Sequence, residues 1–174
     1  MGHNLYIGEA RVILYMEERT ARMGVEEAWV DEAPQTTTGE TGNRITPGYI
    51  MWRKFCREVG LYSVFYAPEC PREEQHDWTN PCAVCDSTSL WWMPDGEEWE
   101  GLMHNLPGAA VLTELHHTAF LEAREKWLTR PLEERMKLGA SMDGRDLVLA
   151  RIDWLVWWTR WALDNCENPT FAND

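Results

Sequence analysis

Hydrophobic and polar positions follow three rhythms along this chain. Near the start they alternate over 5–10, 12–17 and 25–30, the period-two spacing of half-buried strands, with Ile13, Tyr15, Val25 and Trp29 aimed at one sheet face. Residues 19–22 and the pair Met23-Gly24 are the candidate turns between them. Across 47–59 the period lengthens to that of a helix, and Tyr49, Trp52, Phe55, Cys56 and Val59 form its apolar side. Thr46 is the expected N-cap, Pro47 the first helical residue and Gly60 the stop. The third rhythm lies at 146–165 (DLVLARIDWLVWWTRWALDN) and has almost no polar side. Trp154, Trp157, Trp158 and Trp161 fall within an arc of about 100°. Val148, Ile152, Leu155, Val156 and Leu163 cover most of the opposite side. A helix of this kind must be buried twice: one side in the core, the other against a partner subunit, a ligand or a second layer.

The remaining segments fill in the frame. The run 33–43 (APQTTTGETGN) is a Thr- and Gly-rich loop, and 62–66 is short and apolar. Residues 68–94 form a Pro- and Cys-containing insert, and Thr113 can cap a helix over 114–129. The expected fold is α+β in a single domain over 1–174: a small N-terminal antiparallel sheet packed with about three helices, plus the Cys-rich insert.

Charge changes the picture more than length does. The chain carries 29 acidic against 16 basic residues, a formal net charge of −13. Nonspecific binding to nucleic acid is driven by basic surface, so a nucleic-acid polymer is not the expected partner. A small anionic ligand in a local basic pocket is still allowed. No apolar run approaches the ~20 residues of a membrane span, and MGHNLYIGEA lacks the regions of a signal peptide, so a cytoplasmic protein is expected. Five cysteines, an odd number, fit reduced thiols or a metal better than a disulfide framework.

Candidate chemistry concentrates in three places. At the loop-to-helix junction, Gly42 and Asn43 permit unusual backbone angles, Arg44 adds a cation, and the helix start offers free N–H groups. Arg53 and Arg57 lie one turn apart on the edge of that helix, beside Tyr49 and Trp52. Arginine next to aromatic rings can hold a phosphate and stack a base. The same spacing also suits an ordinary core stripe with a solvated edge. On the Trp helix, Trp157, Trp158 and Trp161 with Arg160 suit core packing, an oligomer interface or a stacking pocket. Arg160 would pair with Asp164 or with a ligand phosphate. In the insert, Cys82-x-x-Cys85 has knuckle spacing, and Cys70 with His76 would complete a structural zinc site, the alternative being free thiols. His116 shares a helix face with apolar residues and reads as a core histidine. Together with His117 it cannot easily chelate one ion, because neighbours on a helix diverge by ~100°.

Three pieces of the chain (GHNLYIGEA, TGNRITPGYIMWRKFCREVGLYSVFY and ARIDWLVWWTRWALDNCENPTFAND), with a weaker LMHNLPGAAVLT, resemble a family of small bacteriophage and bacterial proteins with no assigned activity. The insert with Cys70, Cys82 and Cys85 lies outside the shared pieces. The resemblance implies a phage setting in the host-cell cytoplasm, where small proteins often counter host defence, including by sequestering nucleotide immune signals. The leading expectation is therefore a non-enzymatic homo-oligomer that captures a small nucleotide-derived ligand. The alternatives are an acidic inhibitor that engages a host protein by imitating DNA charge, or an enzyme that degrades a nucleotide signal. An enzyme of that class would usually carry a tight His/Asp metal cluster or paired carboxylates, and the five histidines make no such pattern.

Overall fold

Alternation near the start builds one long strand where two were expected. In the computed structural model, which describes residues 4–15, 20–66, 101–103, 108–139 and 144–173, β1 spans Leu5–Tyr15 without a break. It stays continuous because Arg11 and Val12 pair with Gly24 and Met23 of β2 (Thr20–Val25) in an antiparallel ladder. Met23-Gly24 is therefore strand and not turn, and β2 also takes up Thr20–Arg22 of the other candidate turn. The third expected strand shrinks to a single bridge between Trp29 and Gly42, since Val25 already ends β2.

Three short strands were not anticipated. β5 (Pro169–Asn173) inserts between β1 and β4 (Gly108–Val111), giving the order β2-β1-β5-β4, with β3 (Arg44–Ile45) also paired to β1. β5 lies inside the sheet and is buried from Thr170 to Asn173, so it has no alternation to read. Leu5, Ile7 and Phe171 carry the sheet's apolar face into the core.

The helices follow their patterns more closely. α1 (Tyr49–Val59) ends at Gly60, whose φ of 79° suits a left-handed cap. Its N-cap is Gly48, two residues later than expected, and the Thr46 hydroxyl instead donates to Asn4 Oδ1 at 2.9 Å. α2 (Tyr62–Phe65) is a single turn. α3 (Glu114–Leu128) has Thr113 at its N-cap. α4 (Leu132–Gly139) is an additional short helix. α5 (Leu147–Asn165) is capped by Asp146, which accepts from Leu149 N at 2.9 Å.

Asp146 also accepts from Trp127 Nε1 and from Arg135, both at 3.0 Å, and so fastens the start of α5 to α3 and α4. α5 packs on β1 and β5 on one side and on α3 and α4 on the other. The helix that is apolar all round thus finds two covers within its own chain. Trp154, Trp158, Ile152 and Leu155 are fully buried, and Trp157 and Trp161 are half-buried. Rings from four elements close the core: Trp52 packs edge-on to Phe65 at 5.3 Å, and Phe65 meets Phe171 at 5.4 Å and Phe120 at 5.8 Å. Among the described residues no helix is long and apolar enough to cross a membrane.

Candidate functional site

Asn43 holds the loop before α1 in place. Its side-chain oxygen accepts from Ala28 N at 2.9 Å, and its amide nitrogen donates to Ile7 O at 2.9 Å and Glu26 O at 2.7 Å. Its backbone N donates to Ala28 O, and its carbonyl accepts from Ile7 N. The buried amide therefore makes three hydrogen bonds and clamps the loop to the sheet. Upstream, the loop winds around the buried Thr36. The Thr36 hydroxyl accepts from Thr38 N and Glu40 N, both at 3.3 Å, while Gly39 turns at a φ of 88°. On the far side, Trp154 Nε1 donates to Gly42 O at 3.1 Å, tying this loop to α5.

Between the clamped loop and α5 lies a cavity of about 200 Å³, lined by residues 36–38, Glu40, 44–47, Ala150, Arg151 and Trp154. Two arginines against one carboxylate leave the lining net positive, in a chain whose formal charge is −13. The arginines differ. Arg44 is exposed and reaches Glu27 at 3.4 Å, a pair that water largely screens. Arg151 is half-buried, and its guanidinium lies 5.9 Å from the centre of the Phe55 ring. Among the described residues it makes no ion pair and no hydrogen bond. Burial pushes its pKa down, yet a guanidinium keeps its proton at neutral pH. The neighbouring Cys56 thiol offers no counter-charge, because complete burial raises its pKa well above the usual thiol value. Two cations and hydroxyl-bearing threonines thus face one hollow, and its lining reaches Pro47, two residues before α1 begins. That combination favours an anion.

The other expected binding residues are dispersed. Arg53 is buried and donates to Tyr62 OH from Nε at 3.2 Å and from a terminal nitrogen at 2.8 Å. Arg57 lies over the same ring at 5.1 Å. Neither lines the cavity. Trp52 is in the core, and Tyr49 opens α1 with its side chain outside what the structure describes. Trp157 and Trp161 flank Trp158 edge-on at 4.9 and 5.1 Å. Arg160 reaches both carboxylate oxygens of Glu114 at 3.0 Å and pairs with Asp164 at 2.6 Å, and these hydrogen bonds, Asp164's first, raise its pKa.

Cys70, His76, Cys82 and Cys85 lie outside the described residues. Among those described, no group of three or more His, Cys, Asp or Glu is placed to hold a metal. His116 is an integral part of the α3 start: its Nδ1 accepts from Thr113 N at 3.0 Å, and burial lowers its pKa. Burial also lowers the pKa of His117, followed by the field of Arg160.

Arg151, Trp154 and the threonines 36–38 were not foreseen as site residues. One signal for Arg151 was present: unlike Arg160 with Asp164, it has no acid three or four residues away along its helix. No protein-family model, curated protein or solved structure matches this chain.

Proposed function

We propose that this protein binds and sequesters a small, phosphate-bearing, nucleotide-derived ligand in the cavity between the 36–47 segment and α5, without turning it over. The observation that carries this reading is Arg151, a half-buried cation on the cavity wall with no acid paired to it among the described residues. Desolvating a guanidinium is costly unless an anion offsets it. In a chain with 29 acids, one could easily have been supplied. A phosphate would supply that charge, with Arg44 and the lining threonines adding donors. The resemblance to small phage proteins supports a setting in which the ligand is a host immune signal, held by a homo-oligomer that lowers its free concentration.

Titration calorimetry and thermal melts with orthophosphate, ribose 5-phosphate and a panel of cyclic nucleotides test the proposal, since a ligand that prefers the folded state raises the melting temperature. Binding that Arg151→Met weakens at least tenfold, with ligand recovered intact after the protein is denatured, supports it. Absence of binding across the panel, or equal binding by Arg151→Met, rejects it. Recovery of cleaved ligand replaces sequestration with catalysis.

A further inference from the structure

The cavity leaves one conspicuous side chain unused. Trp29 is 66% exposed, whereas Trp52, Trp127, Trp154 and Trp158 are each exposed by no more than 1%. An indole left in water is a large apolar surface that folding did not cover. It is nonetheless firmly seated. Its backbone bridges to Gly42, and its ring edge lies over that residue so closely that a Cβ there would come within 3.0 Å of Nε1 and 3.3 Å of Cδ1. Glycine at position 42 is what lets the ring lie down at this spot. The carbonyl of the same glycine accepts from Trp154 Nε1, so the backbone under the indole is anchored to a buried wall of the cavity. Glu40 and Arg44, which both line the cavity, stand two residues to either side of Gly42.

We infer that Trp29 is the stacking surface for a planar ring of the ligand, which makes that ligand a nucleoside phosphate and not a sugar phosphate or free phosphate. This rests on the phosphate reading of the cavity and extends it by one named contact. Every base presents a flat π-face, so the stack secures a base without selecting which one.

Calorimetric titration of the full chain and of Trp29→Ala and Trp29→Phe with orthophosphate, ribose 5-phosphate and adenosine 5′-monophosphate tests the inference. The unaltered protein should bind adenosine 5′-monophosphate about tenfold more tightly than ribose 5-phosphate, the gain expected of one aromatic stack. Trp29→Ala should erase that gain and leave ribose 5-phosphate affinity unchanged, and Trp29→Phe should retain most of it. Equal loss for both ligands in Trp29→Ala would mean that the ring merely shapes the loop, which overturns the inference. Equal affinity of the unaltered protein for the two phosphates overturns the stack alone and leaves the cavity's phosphate role intact. Failure of all three to bind removes both.

Discussion

Arg151 and Arg160 stand on the same helix, and the chain treats them in opposite ways. Arg160, near the end of α5, is held by Glu114 and Asp164 in an exposed network. Arg151, near the start, is half-buried at a cavity wall and has no acid paired to it among the described residues. A cation whose charge is already answered within the fold has little left for a ligand. A cation removed from water and left unanswered carries a desolvation penalty that a bound anion would relieve. Position and pairing, more than residue type, separate a surface charge from a candidate site.

The most disruptive way to probe this difference is to remove the wall that the two ends share. Trp154 and Trp158 are both fully buried, so Trp154→Ala or Trp158→Ala should cost about 3–5 kcal/mol in denaturant unfolding. Trp154→Ala also releases the hydrogen bond that holds Gly42 and should abolish ligand binding at the cavity. Trp157→Ala, at a half-buried ring, should cost clearly less. Equal costs at Trp154 and Trp157 would mean that the half-buried Trp157 face is covered by something beyond this chain.

Asp146→Ala comes next. That carboxylate is 8% exposed in its side chain and serves three partners: Leu149 N, Trp127 Nε1 and Arg135. Losing a cap and stranding a largely buried guanidinium should cost about 3 kcal/mol. The readout is the midpoint and slope of urea unfolding. A change below 0.5 kcal/mol on the order of a surface substitution would show that the start of α5 is not fastened here.

At the cavity end itself, Arg151→Met separates binding from folding. Affinity for a phosphate ligand should fall at least tenfold, while stability should hold or rise by about 1 kcal/mol, as when a buried charge gives way to an apolar side chain. A large loss of stability would instead assign the guanidinium to the scaffold.

How much of this contrast was legible in the sequence depends on what each feature rests on. The helix over 49–59 shows clear periodicity and a glycine stop, and those over 114–128 and 147–165 show long helix-forming runs with a local N-cap, all properties of neighbouring residues. The pairing of Arg160 with Asp164 is equally local. β4 and β5 are short, and β5 is defined by its place between two strands distant in sequence. The 36–47 junction could be marked from its glycines and Arg44. For Arg151 the sequence offers only the lack of a local acid, because the absence of a tertiary partner is a fact no spacing encodes. Asn43 shows the converse: a residue suited to a ligand contact turns out to be consumed by the fold, with both ends of its amide engaged.

The two ends of α5 also differ in their thiols, and alkaline titration makes this measurable. Complete burial lifts the Cys56 pKa well above 9.0, and Cys166, past the helix end, is raised to about 11 by burial and then by Glu9. In the unfolded chain both thiols ionise near 9.0, so the unfolded state loses its protons first and stability declines as pH rises past that point. The Cys166 share of the decline should level off near pH 11, and Cys166→Ala should flatten it selectively. Stability independent of pH above 9 would contradict the burial of both.

The smallest effect is the most diagnostic for the contrast. Arg160→Met breaks its contacts to Glu114 and Asp164, but these are exposed pairs screened by water and salt. The unfolding midpoint should stay within measurement error, more clearly so at high ionic strength, and phosphate affinity should not change. Set beside Arg151→Met on the same helix, the pair holds residue type and secondary structure constant and varies only burial and pairing. If Arg160→Met weakened ligand binding while Arg151→Met did not, the binding surface would lie at the Trp157–Trp161 end, and the unpaired guanidinium would be an ordinary cost of the core.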